Sequence, residues 1–128
     1  PPAEMAAFDW LRSNSPLDAV VIENNNYHLA PVLACRHGFH SDSGIINVLG
    51  YDKQKMDLMA GIKDRVFSDL PVPGDMIEYL RRMNREIFIL LLEEDLRAKP
   101  SLSAKFESDT DRFKLVFSNE KARLFKVL

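Results

Sequence analysis

The chain has 128 residues, 46% hydrophobic and 28% charged, which is an ordinary composition for one folded domain. Its net charge of −2 lacks the basic excess of a nucleic-acid-binding protein, so we expect no nucleic-acid partner. No stretch reaches the about 18 consecutive apolar residues that a membrane-spanning helix needs, and a single cysteine excludes an internal disulfide. The sequence therefore predicts one soluble domain over residues 1–128, and its two leading prolines are typical of a linker to a larger protein.

The first predicted elements are a helix and a short apolar strand. Ala7, Trp10 and Leu11 recur at spacings of three and four, which predicts a helix over residues 3–13 with Trp10 on its buried side. Pro16 ends this helix because the residue before a proline is pushed out of the helical region. Residues 19–22 are all apolar and predict a buried strand that ends at Glu23.

A polar turn and a second helix are predicted next. Asn26 is suited to cap a helix over residues 27–35 through its side-chain oxygen. Gly38 is the expected stop, and Arg36 and His37 are favourable near the negative end of that helix. Residues 39–47 contain turn-forming Ser, Asp and Gly, which predicts a loop with one short strand.

The middle of the chain predicts two helices. Apolar residues at helical spacing extend over residues 52–70, and the Pro-Val-Pro-Gly sequence at 71–74 ends the pattern. Asp75 with Glu78 three residues later resembles a capping box, which predicts a helix over residues 76–83. Arg81, Arg82 and Arg85 are expected to project into solvent, with a carboxylate or phosphate contact as the alternative.

The unbroken apolar run over residues 87–92 is the strongest strand signal. A short run without alternation is typical of a strand covered on both faces, as in a parallel sheet, so residues 19–22 are its expected neighbour. Short helices are predicted over residues 93–98 and 102–107. Phe113, Leu115 and Phe117 alternate with other residues before an Asn-Glu turn, which predicts a closing hairpin. The fold class is therefore α/β: a small layered sheet with two buried parallel strands, flanking helices and a C-terminal antiparallel hairpin.

A ligand site is predicted at the carboxyl ends of the two apolar strands. In open α/β sheets ligands gather at this edge, and a helix N-terminus there favours anions. Asn24, Asn25, Asn26 and Tyr27 follow one strand and Glu93 follows the other, so these five residues are the candidate site for a small anionic or sugar ligand. The competing interpretation is an ordinary capped and solvated loop.

A metal site is the weaker hypothesis for residues 28–42. Cys35, His37 and His40 could supply three zinc ligands, with His28 or Asp42 as the fourth. This spacing matches no common zinc pattern, so a buried Cys35 beside surface histidines is the preferred interpretation, and no metal or cofactor is predicted. The Asp109-Thr110-Asp111 sequence has the Asp-x-Asp form by which some sugar transferases hold a metal, but aspartates serve equally well in turns.

Two segments resemble a known group of membrane enzymes. Residues 7–21 form a helix followed by Asn-Ser-Pro-Leu-Asp-Ala-Val-Val, and residues 113–127 form a hairpin with an Asn-Glu turn and an Arg-Leu-Phe-Lys-Val strand. Both are similar to segments of soluble C-terminal domains in polytopic membrane glycosyltransferases of the oligosaccharyltransferase-like and lipid-linked sugar transferase group. The Trp-Trp-Asp-Tyr-Gly acceptor motif of oligosaccharyltransferases is missing, since Trp10 is the only tryptophan.

The resemblance implies an accessory role rather than a catalytic one. Chemistry in this group lies in the membrane-embedded part, and no catalytic residue carries over to this chain. The implied function is a non-catalytic domain on the extracytoplasmic side that binds or positions a glycan acceptor and contacts the membrane-embedded part of the same polypeptide. The alternative is a free-standing α/β protein that binds its ligand at the Asn24 to Tyr27 edge.

Overall fold

The computed structural model describes residues 2–24, 33–39 and 53–128. Within these ranges the helices are α1 (Pro2–Asn14), α2 (Lys53–Val66), α3 (Gly74–Arg82), α4 (Glu93–Ala98) and α5 (Ser101–Glu107). The strands are β1 (Val20–Glu23), β2 (His37–Gly38), β3 (Ile87–Leu92), β4 (Phe113–Ser118) and β5 (Ala122–Val127). None of the helices in the described part of the chain is long and apolar enough to cross a membrane.

The strands that the structure describes form one mixed sheet in the order β2-β1-β3-β5-β4. β1 is parallel to both β2 and β3, with Val21 opposite Phe88 and Ile22 opposite Ile89. β5 is antiparallel to β3 and to β4. The predicted α/β fold, with two buried parallel strands and a closing antiparallel hairpin, is therefore confirmed.

The side chains of β3 alternate between two cores, which is why this strand has no polar residue. All six of its residues are buried. Ile87, Ile89 and Leu91 belong to one cluster of buried residues, while Phe88, Leu90 and Leu92 belong to the other. Each fully buried side chain of this size stabilises the fold by about 1.5–3 kcal/mol.

Helices cover both faces of the sheet. Ala7, Phe8 and Leu11 of α1 pack with Phe88, and the ring of Trp10 meets that of Phe88 edge to face at 5.9 Å. The opposite face is covered by buried residues of three helices: Ile62 and Val66 of α2, Ile77 and Leu80 of α3, and Leu102 and Phe106 of α5. The result is a three-layer arrangement with the sheet in the middle.

The hairpin is less regular than its alternating sequence indicates. The register between β4 and β5 shifts between Leu115 and Phe117, and Leu115 is exposed although its neighbour in register, Phe125, is buried. The bulge follows Leu115 and changes the face of the residues after it: Phe113 belongs to one core cluster, whereas Phe117 packs against the other, so the predicted alternation fails between Leu115 and Phe117.

Two predictions of local structure are wrong. Gly38 does not stop a helix but lies in β2, because the main chain there pairs with Val21 of β1. The expected capping box at Asp75 is also absent. α3 starts at Gly74 with Pro73 as its N-cap, so Asp75 lies inside the first turn and cannot be the capping residue.

Candidate functional site

The carboxyl ends of β1 and β3 form a topological switch point. β1 lies between β2 and β3 in the sheet. The next described strand along the chain, β2, is on one side of β1, and β3 is on the other side. In open α/β sheets the connections diverge at such a point, and the crevice between them is where ligands bind. Residue 24 follows β1 here, and α4 begins directly after β3.

A side-chain hydrogen bond joins the two strand ends. Asn24 Nδ2 donates to Asp95 Oδ1 at 3.2 Å, across 71 positions of sequence. The other carboxylate oxygen, Asp95 Oδ2, accepts the backbone N–H of Leu92 at 3.0 Å. Asp95 therefore holds the first turn of α4 and Asn24 together, and the exposed Asn24 sits beside a carboxylate that is only 8% exposed.

Burial sets the protonation behaviour of this aspartate. The loss of solvent raises the pKa of Asp95 above its ordinary value, although the hydrogen bonds from Leu92 and Asn24 act in the opposite direction. Glu94 raises the pKa further through its negative charge. A carboxylate with a raised pKa at a strand edge is the kind of group that functional sites contain, and structural networks contain such groups too.

Glu93 is at the same edge, but two cations hold it. Its Oε1 accepts from Arg97 Nη2 at 2.6 Å and its Oε2 from Lys121 Nζ at 2.6 Å. The hydrogen bond from Lys121 is the main reason why the pKa of Glu93 lies below its ordinary value. Glu93 thus ties α4 to the start of β5, and the acid that reaches Asn24 is Asp95.

The edge as a whole is rich in carboxylates. Glu23 at the end of β1 is buried and has an interaction partner. Glu94 is exposed beside Glu93 and Asp95. The cations found here, Arg97 and Lys121, are both engaged by Glu93. This environment repels anions, whereas carboxylate and amide groups both form hydrogen bonds with hydroxyl groups.

The sequence places the acids of residues 93–95 at this edge, but the prediction selected Glu93 and not Asp95 as the site residue. The signal was present: an acidic residue in the third position of a helix can turn back to the backbone N–H that precedes the helix. Leu92 and Asp95 have this spacing. That Asn24 would be the second partner depends on the parallel register of β1 with β3, which places Glu23 opposite Leu90.

The other predicted site residues are placed only in part. Asn25, Asn26 and Tyr27, and the helix that Asn26 was expected to cap, lie outside the described residues. The same holds for His28, His40 and Asp42 of the metal hypothesis. Cys35 is described and is exposed, so the expectation that it is buried is wrong.

No metal site forms within the described residues. Residues 2–24, 33–39 and 53–128 contain no group of three or more His, Cys, Asp or Glu that could hold a metal ion. In the Asp-x-Asp sequence, the Asp109 carboxylate is bound to Arg112 Nε at 2.6 Å, as expected for a residue of a turn.

No family model matches the chain, and no curated protein matches it significantly.

Proposed function

We propose that this domain is a non-catalytic binding module for a hydroxyl-rich ligand, such as the sugar of a glycan acceptor, at the carboxyl edge of β1 and β3. The hydrogen bond between Asn24 and Asp95 is the observation on which the proposal depends. It places a carboxamide and a carboxylate side by side, and such a pair can donate to one sugar hydroxyl and accept from its neighbour.

The charge of the edge favours a sugar over a small anion. Three acids lie here besides Glu93: the exposed Glu94 and the buried Glu23 and Asp95. The two cations, Arg97 and Lys121, are both bound by Glu93. A phosphate or carboxylate ligand would meet this repulsion, while a neutral polyol would not. Of the two ligand classes that the sequence leaves open, the sugar is therefore the one we propose.

The resemblance to membrane glycosyltransferases supports a role for this binding in acceptor positioning. In that setting the domain is an accessory part on the extracytoplasmic side, and it positions the acceptor for a reaction in the membrane-embedded part of the same polypeptide. A free-standing sugar-binding protein is the second candidate and uses the same edge. The coding sequence before Pro1 separates the two: eight or more apolar spans support the accessory domain, and a start codon at that point supports the free-standing protein.

A titration followed by NMR tests the binding site. Methyl mannoside, methyl glucoside, N-acetylglucosamine and inorganic phosphate are added separately to the labelled full chain. We expect a saturable shift of the Asn24 side-chain amide and of the Leu92 and Asp95 backbone amides with at least one sugar. Because surface polar sites hold single sugars through few contacts, we expect dissociation constants in the millimolar range.

Variants decide whether the shifts report this site. Asn24→Ala and Asp95→Asn should each weaken binding of the sugar at least fivefold. Asn14→Ala is the matched control, since Asn14 is an exposed asparagine of α1 that donates to the Trp10 carbonyl at 3.0 Å. Shifts with phosphate and no sugar, or sugar shifts that persist in Asn24→Ala, contradict the proposal.

A further inference from the structure

The carboxylate of Asp95 binds two separate parts of the chain, one with each oxygen. Its Oδ2 accepts the backbone N–H of Leu92 at 3.0 Å, and its Oδ1 accepts Asn24 Nδ2 at 3.2 Å. Both partners are hydrogen-bond donors, so each bond needs an oxygen that accepts. The ionised carboxylate is the form of Asp95 that accepts strongly on both oxygens at once.

Protonation weakens one of these two bonds, and the surroundings decide which. It turns one oxygen into a hydroxyl, which is a weaker acceptor and needs an acceptor for its own hydrogen. The bond to the Leu92 N–H is buried, so a proton on Oδ2 would leave that N–H without a replacement partner. Asn24 is exposed, and water there can bind both its amide and a hydroxyl at Oδ1. The proton therefore belongs on Oδ1, and the bond to Asn24 is the one that is lost.

We infer that the Asn24–Asp95 hydrogen bond is a pH-dependent latch, which protonation of Asp95 opens so that the edge of β1 and β3 releases its ligand. The opening of the latch follows from the two hydrogen bonds of Asp95. The release of a ligand rests on the sugar binding proposed above. Because the ionised form is the one that binds, affinity falls as the pH falls through the pKa of Asp95.

The charged groups around the latch come from three elements. Burial is the main reason why the pKa of Asp95 is raised, and the negative charge of Glu94 adds to it. The other charged residues of this edge belong to β1, α4 and the start of β5: Glu23, Glu93, Arg97 and Lys121. Both cations bind Glu93, so neither forms an ion pair with Asp95. The latch therefore opens at a higher pH than an exposed aspartate would set.

NMR titration of the full chain without ligand tests the latch itself. The carboxyl carbon of Asp95 reports its protonation, and the side-chain amide of Asn24 reports the bond between them. We expect both signals to follow one midpoint, above the ordinary value of 3.8 for the pKa of an aspartate. The Leu92 backbone amide should stay protected from hydrogen exchange through that midpoint, because its bond is the one that is kept.

Three variants identify the group that titrates. Asp95→Asn places an amide donor opposite Asn24, as protonation does, so the Asn24 amide should keep its low-pH signal at every pH. Glu94→Gln removes a negative charge and should lower the shared midpoint. Asp75→Asn is the matched control, since Asp75 is an exposed aspartate in the first turn of α3, and it should leave the midpoint unchanged.

Titration with methyl mannoside, methyl glucoside and N-acetylglucosamine at several pH values separates the latch from the sugar site. The dissociation constant of a sugar that binds should rise about tenfold between one pH unit above the midpoint and one below it, because the binding-competent fraction falls by that factor. Coupled titration of Asn24 and Asp95 without any sugar shift supports the latch and contradicts the sugar site. An affinity that stays constant through the midpoint leaves the sugar site and overturns its control by the latch. An Asn24 signal that does not follow Asp95 overturns the latch itself.

Discussion

Replacing Arg36 by lysine tests whether one buried guanidinium fixes the end of the first helix. Arg36 is only 5% exposed, and all of its N–H donors are used. Its five hydrogen bonds run to the carbonyls of Arg12, Ser15, Ala34 and Cys35 and to the Ser15 hydroxyl, at 2.9–3.1 Å. Arg12 lies in the last turn of α1, where carbonyls without helical partners give the helix a negative end. The guanidinium therefore connects this helix end to the chain that leads into β2.

The expected loss follows from counting donors. A lysine ammonium has three donors at one point, so at least two of the five acceptors lose their partner. A buried acceptor without a partner costs about 1–3 kcal/mol, which predicts a fall of about 3 kcal/mol in the free energy of unfolding. Urea denaturation measures it, and Arg82→Lys on the surface is the control, with an expected change below about 0.5 kcal/mol. A similarly small change in Arg36→Lys would refute the reasoning.

Three further predictions concern single groups. Burial lowers the pKa of Lys105 to about 8 from 10.5, so the native state loses this proton before the unfolded state does. The free energy of unfolding should therefore increase as the pH is raised from about 8 to about 10.5. Urea denaturation at several pH values should show this increase in the surface control Lys114→Arg but not in Lys105→Arg. Lys121→Ala removes the main cause of the low pKa of Glu93, so the NMR titration midpoint of the Glu93 carboxyl should move upward; an unmoved midpoint would contradict this assignment. Asn84 has a φ of 56°, a backbone conformation that strains alanine by about 1 kcal/mol but does not strain glycine. Thermal unfolding should therefore show that Asn84→Ala is less stable than Asn84→Gly, and equal stability of the two variants would contradict this reasoning.

The centre of the sheet was predictable because burial on both faces leaves a direct mark on the sequence. A strand with helices on both sides cannot place a polar residue on either, so β3 reads as six apolar residues. The same reasoning paired it with β1, and the register of Val21 opposite Phe88 confirms the pairing. The hairpin was predictable from its turn residues, which act over a few positions of sequence.

Features that depend on long-range main-chain contacts left no such mark. β2 is only His37 and Gly38, and it is a strand because its backbone pairs with β1, not because its side chains prefer one. Arg36 was expected at the end of its own helix, and the structure adds the end of α1 as a second set of acceptors. The burial of this arginine follows from where the two chain segments meet.

The same distinction explains the candidate site. The sequence marked Asn24 and the acids after β3 as polar residues at strand ends. Which acid contacts Asn24 depends on the first turn of α4, because this turn directs the side chain of its third residue, Asp95, back toward the Leu92 N–H and β1. Glu93 points to Lys121 instead, although it is nearer to the strand. The strand pair thus has a carboxylate-rich edge at one end and a mixture of arginines and carboxylates at the other, separated by the six residues of β3, or about 20 Å. Substitutions at the two ends are therefore far apart and without shared partners, so we expect their effects on stability to be independent.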